Sequence, residues 1–233
     1  KSKNNYEVYN PDIEEKRMNQ LKLVSDMRTS LKNNDFQVYY QAKQSLSSNT
    51  LVGCEALIRW DHPELGRLSP IEFIPIAENS GLIIPMGKYV LEKACLFAKK
   101  WQNHSSLPMS VSINVSAEQL KSVFFVDDVK ESIKKAEING NQIELEITES
   151  LLMEDIETTI KTLLELKKIG VAISIDDFGT GYSSLSYLKK LPVDTLKIDK
   201  SFIDGLPESE EDSSIVTSIL ALANSLQLKT VAE

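Results

Sequence analysis

From residue 36 to the last residue, short β-prone runs alternate with segments patterned as amphipathic helices, an order that few folds accept. The runs are 36–41, 51–60, 109–116, 143–148, 171–176, 195–199 and 229–233, seven candidate strands. Between them, 88–101 sets Val90, Leu91, Ala94, Cys95, Phe97, Ala98 and Trp101 on one apolar face. The same spacing predicts helices over 156–169 and 213–226, and Gly170 stands directly after the former, where a helix terminator belongs. Strand–helix alternation builds βαβ units and a mainly parallel sheet. Seven strands in this order predict a TIM-like (β/α) barrel lacking its last helix and strand, so the natural protein is expected to continue through at least one more of each. A doubly wound open sheet is the alternative, but no GxGxxG or Walker-type glycine loop follows any strand.

Residues 1–34 are polar and charged, with a helical pattern in Met18, Leu21, Val24, Met27 and Leu31; they read as a linker or surface helix ahead of the domain at 35–233. A net charge of -8 argues against binding to duplex nucleic acid, whereas a small phosphodiester remains compatible if local cations offset the sign. No apolar stretch approaches the roughly 20 residues a membrane span needs. Cys54 and Cys95 lie in apolar runs and are expected as buried thiols of a cytoplasmic protein, or of the cytoplasmic part of a larger membrane-attached one. Lys1 is not an initiator, so the chain reads as a piece of something longer.

The strands carry charge where a barrel expects branched apolar residues. Alternation puts Glu55, Leu57 and Arg59 on one face, as it does Ser112, Asn114 and Ser116, then Glu144, Glu146 and Thr148, and finally Lys197 and Asp199. Any one of these, taken alone, reads more readily as a solvated surface residue. In a barrel, however, helices cover the outside of the strands, and charge goes most cheaply to the mouth at their C-terminal ends. Glu55, Asn114, Glu146, Asp176, Asp177, Lys197 and Glu233 would then converge. So many carboxylates repel one another unless cations intervene, and an all-oxygen set suits Mg²⁺ or Mn²⁺. With His62 and His104 the sole histidines, a His-built zinc or iron centre and Ser–His–Asp or Cys–His catalysis are disfavoured.

The runs Glu55-Ala56-Leu57-Ile58-Arg59-Trp60, Ser112-Ile113-Asn114-Val115-Ser116 and Glu146-Ile147-Thr148-Glu149 resemble the EAL-type cyclic-di-GMP phosphodiesterases in order and spacing. So do the ten residues from Asp176-Asp177-Phe178-Gly179 to Leu185, then Leu196-Lys197-Ile198-Asp199 and Val231-Ala232-Glu233. The resemblance runs from Asp35 to Glu233.

It implies hydrolysis of one phosphodiester of cyclic-di-GMP to linear pGpG, in bacterial second-messenger signalling, with two ions of Mg²⁺ or Mn²⁺. Glu55, Asn114, Glu146 and Asp176 would hold the first and Asp176, Asp177 and Glu233 the second. Lys197 would position the attacking water, and Gln41, Arg59 and Asp199 would contact the substrate. Glu149 would anchor the loop at 178–185, which in the family couples metal binding to dimerisation. A homodimer and an upstream sensor or cyclase-type domain are implied in the same way. Two departures stand out: Ala42 replaces the usual Pro after Gln41, and 45–49 replaces a D-x-x-T-G hairpin. A receptor that binds cyclic-di-GMP without turnover is the competing reading.

Overall fold

The computed structural model describes residues 11–104, 109–152, 156–180 and 188–233. The chain divides into two compact units, Lys1–Gln37 with Arg59–Ile83, and Val38–Ile58 with Ile84–Glu233.

The first unit contains helix α1 (Pro11–Asn33), the hairpin strand β3 (Gly66–Leu68) and α2 (Pro70–Asn79). It also takes the start of β1 (Phe36–Gln44) and the end of β2 (Leu51–His62). Its core is aromatic: Phe36 stacks on Trp60 with centroids 5.2 Å apart, and Phe73 meets the Trp60 ring edge-on at 5.7 Å. Buried His62 closes it, its Nδ1 accepting from the Glu64 and Leu65 amides and its Nε2 lying 3.1 Å from Asp26 Oδ2. The helical pattern expected near the N-terminus is present, but Met27 is buried while Met18 and Leu21 remain exposed.

The second unit contains α3 (Ile83–His104), β4 (Ser110–Asn114), α4 (Ala117–Leu120) and α5 (Phe125–Ala136). There follow β5 (Ile143–Thr148), α6 (Glu149–Leu152), α7 (Ile156–Ile169) and β6 (Ala172–Phe178). The chain ends through β7 (Thr195–Ile198), α8 (Lys200–Ile203), α9 (Glu210–Ser225) and β8 (Lys229–Ala232). All seven expected strands are present, and the extra β3 pairs antiparallel with β2 without lengthening the parallel run.

Strand order decides between the two architectures expected from the sequence. It runs β1-β2-β4-β5-β6-β7-β8, and every pair from β2–β4 to β7–β8 is parallel. Each new strand adds on the same side as the last, so the reversal of order that defines a doubly wound sheet is absent among the described strands. Sequential winding is that of a (β/α) barrel.

Outward strand residues Cys54, Ala56, Val111, Ile113, Leu145, Ile147, Ile173, Ile175, Leu196 and Ile198 join one buried cluster with the helices. The helices supply Leu91, Ala94 and Cys95 from α3, Val129 and Ile133 from α5, Leu163 and Leu166 from α7, and Ile219 and Ala223 from α9. Gly170 ends α7 with φ 92°, a conformation that side-chain-bearing residues adopt at a cost. The opposite face of the strands is buried and polar: Ser112, Glu144, Glu146, Ser174, Asp176, Thr195 and Lys197.

Candidate active site

Register places these polar residues on two levels. Asn114, Glu146, Ser174 and Thr195 lie on one line of paired residues across β4–β7, and Glu55 pairs with Ser112 and, across it, Glu144. The upper level climbs by two residues at three places. Asn114 stands two past Ser112, Asp176 two past Ser174, and Glu233 two past Val231, the partner of Lys197. Tilted strands in a closed or closing sheet produce such a stagger. Residues far apart in sequence thereby reach one place.

Lys197 marks that place. Its Nζ lies 2.7 Å from Glu146 Oε2, 2.8 Å from Asp176 Oδ1, 2.5 Å from Glu233 Oε1 and 3.7 Å from Glu55 Oε2. Asn114 Nδ2 donates to Glu55 Oε1 at 2.7 Å. Burial alone would lower the Lys197 ammonium's pKa, but Glu146 and Asp176 outweigh it and raise it above the ordinary value. Burial and the neighbouring Glu146 charge raise Glu55, against the pull of Lys197 and Asn114. Glu146 is pushed up by burial yet ends below the ordinary range, because Lys43 and Lys197 both pair with it.

Asp176 and Asp177 are consecutive, and strand alternation would send them to opposite faces. The register of β6 against β7 slips between Ile175 and Phe178, and Asp177 takes φ 52°. This bulge re-aims the second carboxylate at a local cost of about 1–3 kcal/mol. Carboxylate oxygens of Asp176, Asp177 and Glu233 consequently lie within 4.8 Å of one another. Burial, then Asp176, a hydrogen bond to Asp199 and the charge of Glu233 push the Asp177 carboxyl up to about 6.

Glu55, Glu146, Asp176 and Glu233 thus stand around the Lys197 ammonium, Glu144 and Glu146 around that of Lys43, and Asp177 adds a further carboxylate beside Asp176 and Glu233. The donors are oxygen, they converge, and they are under-neutralised, which fits hard divalent cations. Asp176 belongs both to the group around Lys197 and to the group with Asp177 and Glu233.

Glu149 opens α6 beyond the end of β5, buried, with Oε2 accepting from the Gly179 amide at 3.1 Å. Its Oε1 has no hydrogen-bond partner among the described residues. Of the loop expected at 178–185, residues 181–185 lie outside the described residues. Asp199 caps α8, accepting from the Ser201 amide at 2.8 Å and from its hydroxyl, and these bonds hold its carboxyl below the ordinary value. Gln41 is exposed on β1, and Arg59 belongs to the first unit.

Lys43 escaped the reading of the sequence. Two residues after Gln41 and therefore on its face of β1, it reaches Glu146 Oε1 and Ser112 Oγ, each at 2.6 Å. Below it, Glu144 accepts from Ser112 at 2.7 Å and from Thr195 at 2.9 Å. A strand alternation extended three residues beyond the expected end of β1 would have exposed the signal.

Comparison with known proteins agrees with this geometry. The EAL domain family model matches residues 24–233. The bifunctional diguanylate cyclase/cyclic di-GMP phosphodiesterase MucR of Pseudomonas aeruginosa is 38% identical over 231 residues, covering 99% of this chain and 34% of MucR. The cyclic di-GMP phosphodiesterase NbdA of the same organism is 37% identical over 231 residues, 99% of this chain and 30% of NbdA. The chain spans about a third of the length of these curated relatives. Among solved structures, the PaMucR phosphodiesterase in complex with c-di-GMP superposes with a TM-score of 0.86 at 40% identity, over 91% of this chain and 85% of that one. With its sequential β/α order, its carboxylate-lined strand ends and a family match over most of its length, the chain belongs to the EAL domain family and has that family's TIM-like barrel fold.

Proposed function

We propose that this chain hydrolyses one phosphodiester bond of cyclic-di-GMP to linear pGpG with the help of two divalent cations, Mg²⁺ or Mn²⁺. The observation that carries the reading is the convergence of Glu55, Glu146, Asp176 and Glu233 on one cation, the Lys197 ammonium, with Asp177 beside them. Glu55, Asn114, Glu146 and Asp176 form the first candidate ligand set, and Asp176, Asp177 and Glu233 the second. Bound there, the two ions would polarise the attacking water and offset charge on the phosphoryl oxygens.

The protein's own part is placement. Lys197, held from several sides, keeps a positive charge at the reaction centre and orients the water toward phosphorus. Asn114 keeps Glu55 turned inward, and the Glu149–Gly179 bond ties the segment after Asp177 to the end of β5. Gln41, Arg59 and Asp199 are assigned to the substrate, with Arg59 offsetting phosphate charge.

A homodimer, an upstream sensor or cyclase-type domain and a cytoplasmic site of action belong to the same reading. The relatives' greater length and MucR's bifunctional name support the additional domain. No helix among the described residues is long and apolar enough to cross a membrane.

Incubation with cyclic-di-GMP and Mg²⁺, followed by separation of the nucleotides, tests the proposal. Conversion to pGpG that EDTA stops is expected. Binding without turnover would instead make the chain a receptor.

A further inference from the structure

We propose that Lys43 is a positioning residue for the candidate metal centre, fixing Glu146 so that one chosen oxygen faces the ions. This rests on the reading of the site given above. The Glu146 side chain is fully buried, and its two oxygens have different partners: Oε1 meets Lys43 at 2.6 Å and Oε2 meets Lys197 at 2.7 Å. Lys43 approaches from the lower polar level. Its Nζ also donates to Ser112 Oγ at 2.6 Å, and that hydroxyl donates onward to Glu144 Oε2 at 2.7 Å. Thr195 fills the other oxygen of Glu144 at 2.9 Å, and Lys43 stands 3.6 Å from Glu144 Oε2.

The direction of every hydrogen bond in this chain is fixed by chemistry. An ammonium can only donate, so the Ser112 proton must point to Glu144 and Glu146 Oε1 must accept from Lys43. Oε1 is therefore committed downward, and Oε2, which accepts from Lys197 at 2.7 Å on the side of Asp176 and Glu233, is the oxygen whose second lone pair can meet a cation. Glu146 is thereby set up as a one-oxygen ligand with its orientation locked from beneath.

Fold stability alone gives little reason for this arrangement. A buried ion pair is at best weakly stabilising compared with well-packed apolar residues, because both charges must be desolvated. Groups that orient a metal ligand from behind, by contrast, typically change metal affinity about 10–100-fold when removed. The sole positive partner of Glu146 besides Lys43 among the described residues is Lys197, which sits in the site itself.

The test is calorimetric titration of Mn²⁺ into the metal-free 233-residue chain, alongside thermal unfolding. Lys43→Met should weaken Mn²⁺ binding by about tenfold or more and lower the unfolding temperature, since Glu144 and Glu146 then face each other with less compensation. Lys43→Met/Glu144→Gln removes one charge of each sign from the lower level and leaves Glu146 unanchored. It should regain the unfolding temperature but not the Mn²⁺ affinity. Should the single variant fail to fold, the double variant carries the test alone. Wild-type affinity in either variant would overturn the proposal, because Lys43 would then merely balance Glu144. Failure of the wild-type chain to take up Mn²⁺ would instead bring down the metal reading on which the proposal stands.

Discussion

Of the carboxylates around Lys197, Glu55 is the one that stands off, at 3.7 Å, and it holds a neutral neighbour, Asn114, at 2.7 Å. Glu55→Gln therefore removes the charge of a proposed ligand with almost no change of shape and little loss to the fold. Partners behind a ligand cost about 10–100-fold, so loss of a ligand itself should lower the hydrolysis rate by about 100-fold or more. Rates at saturating Mg²⁺ with a melting curve of the same sample check this, and retention of most activity would remove Glu55 from the ligand set. Glu149, proposed to act at one remove, accepts from the Gly179 amide. Glu149→Ala should shift the Mg²⁺ dependence of the rate to higher concentration and leave the rate recoverable, whereas a loss that no Mg²⁺ relieves would make Glu149 a direct ligand. At this scale the sequence was partly legible. Glu55, Asn114, Glu146 and Lys197 followed from strand alternation and barrel covering, and the structure brings them together. Alternation gave no reason for Asp176 and Asp177 to share a site, since that depends on a bulge and a positive φ. Lys43 was missed because a single lysine among polar neighbours reads as solvated.

The element that decides the site is β6 with the turn that follows it. Asp177 with φ 52° and Gly179 with φ 104° bend the backbone directly after the two aspartates. A Cβ at Gly179 would stand 2.9 Å from Phe202 Cε2 and 3.2 Å from Ile219 Cδ1, so there is little room as well as strain. Gly179→Ala should lower stability by about 1–3 kcal/mol and weaken Mg²⁺ activation, because the Glu149 anchor would shift with the turn. Chemical denaturation and a Mg²⁺ titration check the two halves, and wild-type values in both would contradict the role given to this turn. Helix extents were legible unevenly: α3 runs 83–104 where 88–101 was expected, and α1 begins at 11, well ahead of the apolar pattern that starts at Met18. α7 spans the expected 156–169, while α9 begins at Glu210, not 213, because its first turn is acidic and is set by the Ser209 hydroxyl accepting from the Asp212 amide. Such capping carries no apolar period, so a reading by apolar spacing passes over it, although Ser209 followed by Glu210, Glu211 and Asp212 is itself a helix-start pattern. Asp199 likewise reads in the sequence as a site residue, and its capping of α8 is visible only in the fold.

For the whole molecule, parallel pairing was the most legible property, because strand–helix alternation dictates it, whereas the winding that separates a barrel from a doubly wound sheet is read from the strand order of the fold. The buried thiols were legible too: Cys54 and Cys95 are both free and buried, on β2 and α3. Burial pushes their thiols up to about 11 and about 12, from an unfolded value of 9.0. The folded chain then holds more protons than the unfolded one above pH 9, so this contribution to stability is full below that pH and is lost as pH rises through 11. Denaturant midpoints should fall steadily from pH 9 upward and by less in Cys54→Ala, and an equal fall in both would assign the loss to other groups. The proposed two-metal centre is tested most directly by the anomalous diffraction of crystals grown with Mn²⁺. Two Mn²⁺ peaks about 3.5–4 Å apart, with Asp176 touching both and Glu233 touching one, are the expected result. A single peak away from Asp176, or none with Lys197 still filling the space between Glu146, Asp176 and Glu233, would contradict it.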